Sequence, residues 1–176
     1  LPDTDFVGLF GSLETGAVVR DLGSETIMVT GRRFVGGLAG QNGGTITTCH
    51  ATGAITAQLH AGGGLAGVNI GTVNGCYATG VVTGIDSVGG LVGYNYTGTV
   101  TLSYASGTVT GLPGSTCIGG LTGRNQGPVT SCYAMGLVTG DSYAGGLSGS
   151  GNGGSFTHCY ATGPVVGDSS VGGLVG

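Results

Sequence analysis

The 176-residue chain has no tryptophan and no lysine, and its permanent cations are four arginines. Set against eight acidic residues, they leave a net charge of −4, so no basic patch exists to hold a nucleic-acid backbone. Only 7% of residues are charged while 39% are hydrophobic, the opposite of a disordered composition. Proline is scarce, at four residues, and glycine follows no three-residue period, which excludes collagen. No apolar run reaches the roughly 18 residues that a membrane-spanning helix needs. The chain begins at Leu1 without Met or a signal-like stretch, which reads as a processed product or a fragment. Glycine, in contrast, is abundant, with 43 residues. That is a poor composition for packed helices, because each interior glycine costs up to ~1 kcal/mol against alanine.

The glycines are organised by a repeat. Gly-Gly-Leu occurs with its leucine at Leu38, Leu65, Leu91, Leu121, Leu147 and Leu174, in steps of 27, 26, 30, 26 and 27 residues. Each of the first five phrases is followed by an asparagine: Asn42, Asn69, Asn95, Asn125 and Asn152. Next comes a β-branched or aromatic residue, at Ile46, Val73, Val100, Val129 and Phe156. Three positions later stands Cys49, Cys76, Ser103, Cys132 or Cys159, with a ring directly after it: His50, Tyr77, Tyr104, Tyr133 or Tyr160. An alanine and a glycine follow, and Ile55, Val82, Val109, Val138 or Val165 closes the unit. Residues 1–31 read as a divergent first coil and 32–176 as the repeat array.

Each unit holds three short apolar stretches bounded by Gly or Asn, the pattern of strands. Cys inward, ring outward, Ala inward, Thr outward is a period of two, and no helical period is present. The parity slips between the β-branched residue and the cysteine, which predicts a bend there. A unit of ~27 residues cannot bury its own apolar face, but stacked coils can. The fold class predicted is all-β: a parallel β-solenoid, a triangular β-helix of about six coils around one continuous interior. Glycine columns are expected where φ is positive or interior width is small. The asparagines are expected in left-handed turns, hydrogen-bonded along their column.

The phrases Val35-Gly36-Gly37-Leu38-Ala39-Gly40, Val88-Gly89-Gly90-Leu91-Val92-Gly93 and Val171-Gly172-Gly173-Leu174-Val175-Gly176 resemble the GLUG motif family of bacterial surface proteins. The continuation Cys-Tyr-Ala-Thr-Gly at 76–80 and 159–163 is similar to the family's as well. The resemblance implies an extracellular stalk, spacer or adhesin-like binding surface and brings no catalytic residues or cofactor with it.

Several side chains admit both a structural and a functional reading. Cys49, Cys76, Cys132 and Cys159 share one phase, and stacking sets their Cβ atoms ~4.8 Å apart, too far for a disulfide, which wants ~3.8 Å. They read as an inward ladder of free thiols, alongside the inward leucines 38, 65, 91, 121, 147 and 174. Their spacing lacks a zinc-type motif. Cys117 stands outside the column, in the longer 111–117 loop, and is expected to be exposed or half-exposed, a possible intermolecular thiol. The outward rings His50, Tyr77, Tyr104, Tyr133 and Tyr160 could bind sugars or a neighbouring fibre, or could stabilise adjacent strands by ~0.2–1 kcal/mol per pair. The outward threonines 56, 83, 110 and 139 lack the paired Thr-x-Thr of an ice-binding face in most coils, and read as strand formers. Asp86, Asp141 and Asp168 read as solvated corner residues rather than calcium ligands.

Scattered acids, and histidines only at 50, 60 and 158, give no catalytic constellation, so an enzyme is not expected. The leading expectation is a non-catalytic extracellular structural solenoid, a surface stalk or the subunit of a head-to-tail filament. The latter draws on the chain stopping partway through a coil. The alternative is an adhesin-type module recognising glycan or a host surface protein through the tyrosine column. No metal, nucleic acid or membrane span is expected.

Overall fold

The computed structural model describes residues 4–176, and every element in it is a strand. Three parallel sheets wrap six coils. One contains Ala39–Asn42, Ala66–Asn69, Val92–Asn95 and Thr122–Asn125, flanked by Phe10–Leu13 and Ser148–Ser150. A second stacks Val18–Arg20, Thr45–Thr47, Thr72–Asn74, Thr99–Thr101, Pro128–Thr130 and Ser155–Thr157. The third and largest holds the long strands Gly23–Gly36 and His50–Gly63 and their counterparts in later coils, such as Tyr77–Ala78 with Val81–Gly89.

The registers place identical repeat positions side by side: Tyr77 against His50 and Tyr104, Val82 against Ile55 and Val109, Asn95 against Asn69 and Asn125. Residues 10–36 stack in the same register, Phe10 opposite Ala39, Val19 opposite Ile46 and Val29 opposite Ile55. Leu38, Leu65, Leu91, Leu121 and Leu147 are completely buried. Leu174 departs from the expected inward ladder at 40% exposed, because it belongs to the last coil and has no chain stacked beyond it.

The interior is two columns of apolar contact rather than one. The first contains the leucines, the cysteines and Ile46, Val73, Val100 and Val129. The second contains Val35, Ile55, Val82, Val88, Val109, Ile118 and Val138, with Ile27 packed against both. Glycine does its work through close approach. A Cβ on Gly64 would lie 2.2 Å from the Gly90 carbonyl oxygen and 2.7 Å from the Ala78 Cβ. The left-handed turns fall elsewhere than expected. Phe34, Ala61, Ser87, Cys117, Tyr143 and Ser170 form one positive-φ column, at 51–57°. Thr48, Gly75, Leu102, Ser131 and His158 form a second, one residue before the cysteine position, where the parity slip predicts a bend. L-residues tolerate this conformation at a cost, which stacking in every coil must offset.

The asparagines avoid positive φ and work through their side chains. Asn42, Asn69, Asn95 and Asn125 are fully buried. The Asn42 amide donates to Asn69 at 2.8 Å, Asn69 to Asn95 at 2.8 Å and Asn95 to Asn125 at 2.7 Å. Asn125 ends the chain of bonds on the Gly127 carbonyl at 2.9 Å. Asn152 is exposed and outside the ladder. The pairing of Arg124 with Ser150 brings position 151, not 152, into line with Asn125.

Candidate functional site

Two surfaces carry side chains beyond those needed to close the coils. The first is the ring ladder. His50, Tyr77, Tyr104, Tyr133 and Tyr160 follow the inward Cys or Ser position on strands whose alternation turns them out. Their successive centroids are 4.8, 5.0, 4.9 and 5.0 Å apart, with interplanar angles of 2°, 7°, 1° and 4°. Parallel rings at the inter-strand spacing turn their faces to one another. Edges and hydroxyls point outward, so little free face remains for a sugar to stack upon. The sheet beneath sets this geometry, which serves cross-strand stabilisation directly. At the first end of the ladder, His50 Nε2 lies 2.7 Å from Glu25, which also accepts from Thr52 at 2.7 Å. The Thr52 and His50 contacts hold the Glu25 carboxyl below its usual range.

Behind the ladder lie the cysteines, all free thiols. Cys76 donates to the Asn74 carbonyl at 3.2 Å and Cys132 to the Thr130 carbonyl at 3.2 Å. Burial pushes both thiols up to about 11, so they are protonated and unreactive at neutral pH. Ser103 substitutes without loss, its hydroxyl accepting from the Cys76 N–H at 3.0 Å.

The second surface lies at the corner between the largest sheet and the asparagine sheet. Asp86 is its centre. Thr116 donates to it at 2.9 Å and Ser87 at 3.2 Å. His60 Nε2 approaches at 3.3 Å and Arg124 at 3.7 Å. Arg124 also reaches Cys117 Sγ at 3.5 Å and lies over the Tyr94 ring, 5.7 Å from its centroid. Rings continue around it: Phe6 stacks on Phe34 at 4.8 Å, while His60 stands edge-on to Phe34 at 5.6 Å and to Tyr94 at 6.1 Å. Beside this cluster an open groove of about 480 Å³ is lined by Arg33, Phe34, Leu59 and His60. Burial, reinforced by the positive charges of Arg124 and Arg33, keeps the His60 imidazole below its usual range despite Asp86.

Three expectations change at this corner. Cys117 is buried, at 4% exposure, because its backbone turns left-handed and Arg124 covers its sulfur. A bridge to another chain from there would require the corner to open. Asp86 is not simply solvated. It also lies out of phase with Asp141, since its register partner is Thr116, which in turn pairs with Ser142. His60, Tyr94 and Arg124 were not singled out by the repeat, yet a signal existed. The step from Val82 to Gly89 is seven positions, whereas Ile55 to Gly63 is eight and Val109 to Gly119 is ten. The extra residues fall at this corner, and the one in the second of these coils lies within 58–61, the segment that carries Leu59 and His60.

Among the described residues, no group of three or more His, Cys, Asp or Glu side chains converges in a way that could hold a metal ion, and no helix is long and apolar enough to cross a membrane. No curated protein sequence matches the chain. Among solved structures, the fold is similar to that of a Bacteroides ovatus protein described as a "putative immunoglobulin A1 protease". The similarity has a TM-score of 0.63 at 20% identity over 89% of this chain. The match spans 60% of that structure's length, and at this identity the likeness is one of fold. The GLUG motif family matches at residues 35–56 and 86–110, the segments that carry Gly-Gly-Leu at Leu38 and Leu91. The chain is thus a parallel β-solenoid bearing GLUG motifs.

Proposed function

We propose that this chain is a non-catalytic structural module of an extracellular bacterial protein, a rigid spacer whose length is set by its number of coils. The observation that carries this reading is the in-register continuity of the ladders. The Leu, Asn and ring positions each repeat at the strand spacing of ~4.8 Å, so every added coil lengthens the body by that increment. The GLUG motifs support a bacterial cell-surface setting. The fold likeness extends over 60% of a protein described as a "putative immunoglobulin A1 protease", which fits a module carried within a longer chain, and the scattered acids here favour support over chemistry. A further coil stacked on residues 160–174, from the same chain or a second copy, would extend the same ladders as a stalk or a filament.

Immunolabelling of intact bacteria expressing the parent protein tests the location. Labelling without permeabilisation is expected; labelling only after permeabilisation contradicts it. Small-angle scattering of variants with one coil added or removed tests the spacer. The longest dimension should change by ~5 Å per coil, and an unchanged dimension would overturn the reading.

A further inference from the structure

We propose that the groove lined by Arg33, Phe34, Leu59 and His60 binds a carboxylated sugar. This site is separate from the ring ladder, and it does not depend on the spacer reading.

The charge balance comes first. Arg32 is committed to Asp5 through two contacts, at 3.1 and 3.0 Å. Asp86 is matched by His60, Thr116 and Arg124. Arg33 is exposed and forms no ion pair among the described residues, although its charge, with that of Arg32, also bears on Asp5, its register partner on the preceding coil. Both Arg33 and Arg124 disfavour protonation of His60, so their fields overlap at the groove. Two arginines against Asp86 leave this corner positive in a chain whose net charge is −4. A guanidinium takes a carboxylate with two parallel hydrogen bonds, the strongest anchor available on such a surface.

The shape and the walls narrow the ligand further. The groove is open, with four side chains lining about 480 Å³, so a ligand lies against its wall rather than being enclosed. Phe34 and Leu59 supply apolar wall, with Leu59 44% exposed. Phe34 is backed by Phe6 on one side and met edge-on by His60, which holds its orientation. Exposed Leu59, with the rim of Phe34 that Phe6 and His60 leave uncovered, forms an apolar wall beside an arginine that has no ion pair among the described residues. That combination suits a ring with an apolar C–H face and a carboxylate on its rim, which describes a uronate or sialate. An acidic peptide fits less well. The strands beneath already pair in parallel, Arg33 with His60, so no free sheet edge is offered for strand addition at the groove.

Ligand-observed saturation-transfer NMR on the whole chain tests the proposal, with 3′-sialyllactose and a hyaluronan tetrasaccharide as carboxylated probes. Lactose and a tetraglutamate peptide are the controls. Transfer to the ring protons of at least one carboxylated sugar is expected, with none to lactose or the peptide. Arg33→Ala should weaken the binding by about tenfold or more, as loss of a charge-assisted pair requires. Leu59→Ala should weaken it less, and Tyr133→Ala on the ladder should leave it unchanged. Should Arg33→Ala fail to fold, Arg33→Lys replaces it, keeping the charge but losing the fork, with weaker binding again expected. Absence of transfer to both carboxylated sugars, equal transfer to lactose or tetraglutamate, or undiminished binding by the Arg33 variant would each overturn the site.

Discussion

The five rings from His50 to Tyr160 lie within 7° of parallel with their neighbours, whereas at the Asp86 corner His60 meets Phe34 and Tyr94 at 76°. Both regions sit on the same coils. The ladder repeats one chemistry at one phase, so each ring satisfies the next. The corner places a different residue on each coil, Phe34, His60, Asp86 and Cys117 among them, and its groups satisfy one another across phases. Repetition produces stability that is indifferent to ligands, and departure from repetition produces a mixed surface able to discriminate among them. Substitutions should separate the two, with ladder positions changing stability and groove positions changing binding.

The largest effect is expected where a ladder is closed by backbone. A Cβ at Gly64 would meet the Gly90 carbonyl at 2.2 Å, and neither coil can retreat without breaking its sheet. Gly64→Ala should cost about 3 kcal/mol, the upper end for overpacking, read from the denaturant midpoint. Asn69→Ala comes next. It takes one of its two acceptors from the buried Asn42 amide, which keeps the Thr72 carbonyl, and the Asn69 donor from the Asn95 oxygen, at about 2 kcal/mol, while Asn152→Ala should cost almost nothing. Equal losses at Asn69 and Asn152 would remove the asparagine ladder from the explanation.

Smaller effects follow at the rings. Tyr104→Ala removes two stacked neighbours and should cost about 1 kcal/mol. Arg33→Ala should stay within about 0.5 kcal/mol of the parent, since it is exposed and unpaired. The smallest effect is a pH dependence at His60. Folding depresses its proton affinity, so the unfolded chain binds the proton more readily. Its contribution to stability is therefore present above 6.5 and is lost as pH falls through the folded-state value. Thermal midpoints of the parent should fall more steeply on acidification than those of His60→Gln, and parallel slopes would contradict this.

The solenoid was legible in the sequence because a coil that cannot close alone must repeat its core residues at fixed phase. Leu38, Cys76, Asn95 and Val109 announce their neighbours by spacing alone. The turns were harder to read. Phe34, Tyr143 and Leu102 take positive φ despite bulky side chains, since stacking imposes one backbone path on every coil whatever residue occupies it. A single sequence also gave no sign that the interior divides into two columns, because both are lined by the same aliphatic types. The corner escaped notice for the opposite reason. Its groups stand at unlike phases, Asp86 opposite Thr116 and Tyr94 opposite Arg124, and only the coil path brings them within reach. The extra positions in the coils carrying His60 and Thr116 were the one available hint.

Everything described depends on like side chains of successive coils lying directly over one another. The most direct measurement is a nuclear Overhauser spectrum with the asparagine side-chain amides assigned. Asn69 should show contacts to both Asn42 and Asn95, 27 and 26 residues away, because their side chains are hydrogen-bonded at 2.8 Å. An Asn69 amide with contacts only to its own sequence neighbours would contradict the stacked solenoid and, with it, both the ladder and the corner built upon it.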